Sequence, residues 1–130
     1  MSQSLSDLAA GPAVLFVDDE PALRSLAVAT LQLAGYEVLT AADGAEALEV
    51  FRVRAADVQV VILDLTMPGP PVDETLRELR RMQPQVRVLL SSGHSEEEAT
   101  RHVAASELAG FLQKPYLPRE LIERVRERCQ

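Results

Sequence analysis

The chain lacks the cysteines that a disulfide framework or a multi-cysteine metal site requires. Its 130 residues contain a single cysteine, Cys129, which is next to last. We interpret Cys129 as an inert residue of a frayed tail. The absence of cysteine pairs fits a reducing compartment. Functions that depend on cysteine clusters are therefore excluded.

An excess of basic residues is also missing, since 20 Asp and Glu outnumber 13 Lys and Arg and give a net charge of -7. A nucleic-acid surface needs a concentrated basic face, so we expect no direct nucleic-acid binding. No uninterrupted apolar segment approaches membrane-spanning length. The first twelve residues also lack the basic start and long apolar region of a signal peptide. We therefore expect a cytoplasmic protein that does not associate with membranes.

What remains is the composition of an ordinary globular domain, with 47% hydrophobic and 25% charged residues. The length suits one domain with a substantial core. Residues 1–12 are small and polar and end in Gly-Pro, so we interpret them as a flexible leader or linker. The domain itself is expected to span residues 13–130.

Strand and helix patterns alternate five times along this domain. Strands are predicted at 13–17, 36–41, 60–63, 86–90 and 109–112. Each is followed by a predicted helix, at 21–34, 43–54, 73–82, 95–105 and 117–128. Asp43 with Glu46, and Ser95 with Glu98, have the spacing of capping boxes. The alternation favours an α/β fold with a parallel sheet covered on both faces and right-handed crossovers.

Polar side chains follow four of these strands at the point where each strand ends. They are Asp18 and Asp19, Asp64, Ser91 and Ser92, and Lys114. Parallel strands bring their carboxyl ends to one edge of the sheet, where ligands bind in open α/β folds. We therefore expect these groups to converge on one crevice.

These residue types fit phosphoryl chemistry. Crowded carboxylates repel one another, and Mg²⁺ relieves that repulsion with oxygen ligands while keeping several waters. A carboxylate beside the metal, such as Asp64, can attack phosphorus and form an acyl phosphate. Lys114 supplies a positive charge for the phosphoryl group, and a serine hydroxyl can bond another of its oxygens.

Four motifs in order, VDD, ILDLTMPG, LLSSG and GFLQKPY, resemble the receiver (response-regulator) domain of two-component signalling. The resemblance covers roughly residues 13–128. It implies a flavodoxin-like (βα)5 fold, a doubly wound five-stranded parallel sheet with strand order 2-1-3-4-5. The SSGHSEEE and FLQKPY segments look especially similar to those of receivers attached to hybrid sensor histidine kinases.

The resemblance implies a role for each matching residue. Asp64 corresponds to the phospho-accepting aspartate, Asp19 to the direct Mg²⁺ ligand and Asp18 to an acidic partner that acts largely through water. Thr66 matches the residue whose backbone carbonyl completes the metal site.

Three further positions match residues that handle the phosphoryl group or report its presence. Ser92 matches the hydroxyl residue that bonds the phosphoryl group and moves on activation. Its choice over Ser91 depends on the family spacing to Lys114, the phosphate-pairing lysine. Phe111 falls at the aromatic switch position.

The resemblance thus implies Mg²⁺-dependent transfer of a phosphoryl group to Asp64 from a phosphohistidine, on a histidine kinase or a histidine phosphotransfer domain. Phosphorylation would switch a protein-interaction surface that acts on a downstream effector protein or a covalently attached domain. The domain would catalyse its own phosphorylation and dephosphorylation without being a turnover enzyme on an external substrate. Homodimer formation stays open.

Two alternatives and one departure from the family pattern accompany this interpretation. A small Mg²⁺-dependent aspartyl-phosphate phosphatase is disfavoured because Thr66 stands where dehalogenase-type phosphatases need a second aspartate. A degenerate receiver that acts only as a binding module is disfavoured because every acidic, hydroxyl and lysine position is present. Pro70-Pro71-Val72 replaces the usual hydrophobic-Asp-Gly sequence, so we expect a stiffer and differently shaped loop there.

Overall fold

The predicted five-stranded parallel sheet is present in a computed structural model that describes residues 12–67, 69–101, 103 and 107–129. The strands are β1 Ala13–Val17, β2 Glu37–Ala41, β3 Val58–Asp64, β4 Arg87–Ser92 and β5 Gly110–Gln113. The helices are α1 Pro21–Leu33, α2 Gly44–Arg54, α3 Val72–Met82, α4 Glu96–Ala99 and α5 Pro118–Arg128. The strand order β2-β1-β3-β4-β5 confirms the predicted fold.

The central strands β1 and β3 are buried on both faces, as their uninterrupted apolar runs predict. Val14 and Phe16 belong to one core cluster with Leu31 of α1 and Leu121 of α5. The alternate residues of β1 belong to a second cluster on the other face, with side chains of α2 and α3. Each fully buried side chain of this size contributes roughly 1.5–3 kcal/mol. The two clusters therefore hold the carboxyl edge of the sheet on a rigid base.

The register of β1 against β3 decides which side chains meet at that edge. The pairing shifts after Ala13, which lies beside Val58, so that Val14 lies beside Val60. The register then runs regularly to Val17 beside Leu63. As a result, Asp18, which directly follows β1, and Asp64, the last residue of β3, lie side by side at the carboxyl edge of the sheet.

The helix starts agree with the local signals in the sequence, with one difference. Ser95 and Glu98 form the predicted capping box, with the Glu98 N–H donating to Ser95 Oγ and the Ser95 N–H donating to Glu98 Oε1. Asp43 accepts from the Glu46 N–H at 2.8 Å, but the Glu46 carboxylate accepts from the Ala42 N–H instead of closing the box. That second predicted box is therefore only half formed.

Helix α4 ends earlier than the pattern predicted. It stops at Ala99, and the Thr100 hydroxyl donates to the Glu97 carbonyl at 3.0 Å. Such a bond competes with the backbone donors of a continuing turn. The end predicted near residue 105 lies outside the described residues.

Cys129, the next-to-last residue, makes more contacts than we expected for a frayed tail. Its N–H donates to the Val125 carbonyl at 2.9 Å, and its side chain packs against the cluster on the α1 and α5 face. Burial raises the pKa of the Cys129 thiol. Among the described helices, none combines the length and the hydropathy needed to cross a membrane.

Candidate functional site

Three carboxylates gather at the carboxyl edge of the sheet, as predicted. Oxygen atoms of Asp18, Asp19 and Asp64 all lie within 4.8 Å of one another. Asp18 is 0% and Asp64 1% exposed, whereas Asp19 is exposed to solvent. Two buried acids and one exposed acid therefore form a pocket that opens at Asp19.

Backbone bonds fix the direction of Asp18. Its N–H donates to the Ala41 carbonyl at 3.0 Å, which continues the pairing of β1 with β2. Its Oδ1 accepts from the Glu20 N–H at 3.0 Å, and Arg24 Nη1 donates to its carbonyl at 2.7 Å. The other carboxylate oxygen, Oδ2, is left to face the cluster.

Lys114 joins the two buried acids. Its Nζ lies 2.8 Å from Asp18 Oδ2 and 3.1 Å from Asp64 Oδ2. Burial by itself lowers the pKa of Lys114, but the bonds and charges of the two carboxylates outweigh it and raise the pKa above its usual value. The Lys114 N–H also donates to the Ser92 carbonyl at 2.7 Å, which ties the end of β5 to the end of β4.

Asp64 has a different partner on each oxygen. Oδ2 pairs with Lys114, while Oδ1 accepts from the Thr66 N–H at 3.2 Å and from Thr66 Oγ1 at 3.4 Å. The Leu65 N–H donates to the Ser91 carbonyl at 2.9 Å and holds the loop start against β4. The sequence predicted no bond between the Thr66 hydroxyl and Asp64, so this contact is new.

The two serines of β4 are both fully buried but differ in their bonds. Ser92 Oγ accepts from the His94 N–H at 2.9 Å, and no acceptor for its hydroxyl proton is found among the described residues. Ser91 is the register partner of Asp64, and its Oγ has no hydrogen-bond partner among the described residues. Phe111 lies on β5 beside Leu90 and is partly buried.

Tyr116 is a neighbour of the site that the sequence interpretation missed. Burial raises the pKa of its phenol, and the negative charges of Asp18 and Asp64 raise that pKa further. Its side chain packs on the α1 and α5 face of the sheet. Its position two residues after Lys114, in the KPY motif, was the sequence feature that could have indicated its closeness to the site.

The donor set fits a hard divalent cation. Three carboxylates and one ammonium group leave a net negative charge in a largely buried pocket. Every candidate ligand is an oxygen, which is the donor that Mg²⁺ prefers. The residues present therefore fit a magnesium ion.

Comparison with known proteins agrees with this architecture. The family model described as response regulator receiver domain matches residues 14–126. The chain is 37% identical over 125 residues to the sensor kinase CckA of Brucella abortus, covering 96% of this chain and 13% of that protein. The chain spans about half or less of the length of the curated relatives that it matches.

Solved structures show the same fold. The Vibrio cholerae chemotaxis protein CheY4 has a TM-score of 0.81 and 33% identity, over 92% of this chain and 99% of that chain. The response regulator TrrA of Thermotoga maritima, solved in complex with Mg²⁺ and BeF, has a TM-score of 0.77 and 32% identity, over 90% of this chain and 98% of that chain. The chain belongs to the response-regulator receiver family, the signalling domains of two-component systems.

Proposed function

We propose that Asp64 accepts a phosphoryl group from a phosphohistidine, carried by a histidine kinase or a histidine phosphotransfer domain. The observation that carries this proposal is the environment of the Asp64 carboxylate. It is 1% exposed, it pairs with Lys114 through one oxygen, and it lies within 4.8 Å of two further carboxylates. A carboxylate placed in this way can act as a nucleophile toward phosphorus.

The metal ligands of the proposed site are Asp19 directly, Asp18 largely through water, Asp64, and the Thr66 backbone carbonyl. When bound, Mg²⁺ supplies positive charge that offsets the phosphoryl oxygens and the crowded acids. The receiver family and the Mg²⁺ complex of TrrA support this assignment. The exposure of Asp19 gives an ion a route to the pocket from solvent.

The chain's own residues carry the transfer. An oxygen of Asp64 forms a bond to phosphorus while the N–P bond of the donor breaks and its electron pair returns to the imidazole. Lys114, which contacts Asp64 Oδ2 at 3.1 Å, turns its ammonium group to a phosphoryl oxygen. The Ser92 hydroxyl, for whose proton the described residues offer no acceptor, donates to another phosphoryl oxygen. Water later hydrolyses the acyl phosphate of Asp64.

The switch in this proposal runs from Ser92 to Phe111. Turning Ser92 toward the phosphoryl group breaks its bond to the His94 N–H and disturbs the start of the loop before α4. Phe111 lies on the neighbouring strand β5, whose end is bonded to Ser92 through the Lys114 N–H. Phosphorylation therefore shifts the surface formed by α4, β5 and α5 toward its active form.

The proposed setting is a cytoplasmic phosphorelay in which residues 1–12 form a leader or linker and residues 13–130 the receiver. Output passes to an effector protein or to a covalently attached domain. Similarity to the sensor kinase CckA supports attachment to a hybrid kinase. Homodimer formation through the switched surface is one form that output could take. The domain acts on its own Asp64 and does not turn over an external substrate.

Intact-protein mass spectrometry tests this proposal. We expect incubation with phosphoramidate, whose N–P bond matches that of phosphohistidine, to add one phosphoryl group only when Mg²⁺ is present. Asp64→Ala should carry no adduct. The control is Asp57→Ala. Asp57 is an exposed acid that follows α2 and pairs with Arg54, so this variant should be labelled as the wild type is. An adduct on Asp64→Ala, or no adduct on the wild type, would contradict the proposal.

A further inference from the structure

A cavity of about 490 Å³ opens beside the proposed acceptor, between the loop after β3 and the loop after β4. Its lining residues are Leu65, Thr66, Pro71, Val72, Asp73, His94 and Arg101. Thr66 lines the cavity and also belongs to the acidic site, since its N–H and its hydroxyl donate to Asp64 Oδ1. The volume is in the range of small-molecule pockets. A molecule in the cavity would therefore stand next to the acceptor carboxylate.

The loop with the unusual sequence builds one wall of this cavity. Pro71 directly precedes α3, with φ -59° and ψ 150°, and Val72 is the first residue of that helix. Proline fixes this approach of the chain to the helix. The Pro70-Pro71-Val72 departure therefore gives the cavity a fixed apolar side.

The polar residues of the cavity differ in the partners that they have in the structure. The Asp73 carboxylate has Arg77 Nη2 at 4.0 Å, and His94 Nδ1 lies 3.9 Å from Glu98 Oε1. The Arg101 guanidinium has no hydrogen bond or ion pair with any residue that the structure describes. An unpaired guanidinium is suited to a planar carboxylate, which it can bind through two parallel bonds.

We propose that this cavity receives the leaving group of a small acyl phosphate, and that Arg101 determines donor specificity by pairing with the carboxylate that leaves. This inference rests on the proposed phosphorylation of Asp64. It adds a place for the part of the donor that the acidic site does not hold.

The reaction balances without a further reactant. An Asp64 oxygen bonds to phosphorus, the bond between phosphorus and the acyl oxygen breaks, and the electron pair leaves with the acyl group as a carboxylate. Negative charge on that carboxylate grows as the bond breaks, so a positive charge placed there acts most strongly late in the transfer. A phosphoramidate donor releases ammonia and develops no such negative charge. Arg101 should therefore distinguish the two donors, and Asp73 should act in the opposite sense.

The test compares rate constants for phosphorylation of the whole chain by acetyl phosphate and by phosphoramidate in Mg²⁺, followed by intact mass. We expect Arg101→Gln to lower the ratio of the acetyl phosphate rate to the phosphoramidate rate about three- to fivefold, the size of an exposed ion pair. Asp73→Asn should raise the same ratio. Arg126→Gln, an equal charge change at an exposed residue near the end of α5, should leave it unchanged.

A general loss of folding or of metal binding would lower both phosphorylation rates by the same factor, so it would not change their ratio. An unchanged ratio in Arg101→Gln would overturn the inference, and so would an equal fall in both rates. These results would leave the phosphorylation of Asp64 intact. If neither donor labels the wild type, the proposed function fails first and the inference fails with it.

Discussion

At the scale of single residues, the site depends on how three negative charges are held close together. Lys114 lies against Asp18 and Asp64, whereas Asp19 has no ion pair within the part of the chain that the structure describes. Asp18 and Asp64 are buried and cannot move apart without disturbing β1 and β3. The repulsion that Lys114 does not offset is therefore built into the fold, and a bound cation would relieve it.

Substituting Asp19 should raise the stability of the metal-free domain and weaken the stabilisation by Mg²⁺. Without the metal, we expect Asp19→Asn to unfold at a higher urea midpoint than the wild type, because one of three repelling charges is gone. Mg²⁺ at about one hundred times its Kd should stabilise the wild type by about 2.7 kcal/mol, and Asp19→Asn should lose most of this gain. Urea unfolding followed by circular dichroism, with and without Mg²⁺, measures both effects.

Asp57→Asn is the matched control, since Asp57 is an exposed acid outside the cluster. It should retain the full Mg²⁺ stabilisation. Equal stabilisation of wild type and Asp19→Asn by Mg²⁺ would remove Asp19 from the proposed ligand set.

At the scale of elements, the loop that carries Pro70 and the start of α3 is packed tightly against the start of α2. A Cβ added at Gly44 would lie 2.7 Å from Thr75 Oγ1 and 3.5 Å from Pro70 Cγ. Thr75 is 1% exposed and cannot turn out to solvent. The contact between α2 and α3 therefore requires the absence of a side chain at position 44.

Gly44→Ala should consequently destabilise the domain, although alanine favours a helix over glycine by about 1 kcal/mol. Overpacking a buried contact costs roughly 1–3 kcal/mol, so we expect a net loss in the free energy of unfolding. In a Thr75→Ala background the added methyl group has room, and most of the cost should disappear. Chemical denaturation of the four proteins in this cycle gives the coupling energy.

Gly93→Ala provides the comparison, because a Cβ there meets no atom within 4 Å. It should leave the midpoint almost unchanged. Full additivity of Gly44→Ala and Thr75→Ala would show that the close approach of the two helices is not the cause.

The same elements show which features a sequence can and cannot predict. The alternation of apolar runs and helical periodicity predicted all five strands and the convergence of Asp18, Asp64 and Lys114 on one edge. Those features depend on local pattern and on the geometry of parallel sheets. The strand order was predicted only by the family resemblance. The roles assigned to the individual site residues stay predictions until phosphorylation is measured.

Features that depend on the orientation of a single side chain, or on contacts between distant segments, were not predictable. The early end of α4 follows from a hydroxyl bond of Thr100 that competes with the helix. The contact of Thr66 Oγ1 with Asp64 depends on the side-chain orientation that Thr66 takes in the loop after β3. Tyr116 comes near the acids only because the fold brings the end of β5 to the edge of the sheet that Asp18 and Asp64 occupy. No periodicity in the chain encodes those contacts.

At the scale of the whole molecule, Ser92 and Lys114, the residues proposed to contact the phosphoryl group, are connected to the α4 and β5 side of the domain. The Lys114 N–H bonds the Ser92 carbonyl, and Ser92 Oγ accepts from the His94 N–H, so the ends of β4 and β5 move as neighbours. Helix α4, which these residues precede, has only four residues. In contrast, β2 lies at the far edge of the sheet, beyond β1.

A phosphoryl mimic should therefore change the dynamics of one side of the domain only. With Mg²⁺ and beryllofluoride, which imitates a phosphoryl group on a carboxylate, we expect altered amide hydrogen exchange at residues 92–101 and 110–117. Residues 26–40, which cover most of α1 and β2, should exchange at unchanged rates because the structure shows no bond from them to Asp18, Asp64, Ser92 or Lys114. Asp64→Ala should show no response anywhere.

A response confined to residues 64–66 would mean that the site binds the mimic without a switch, and an equal response across the domain would indicate general stabilisation. Either result would remove the proposed coupling of Ser92 to Phe111 while leaving phosphorylation of Asp64 to be decided by the mass measurement.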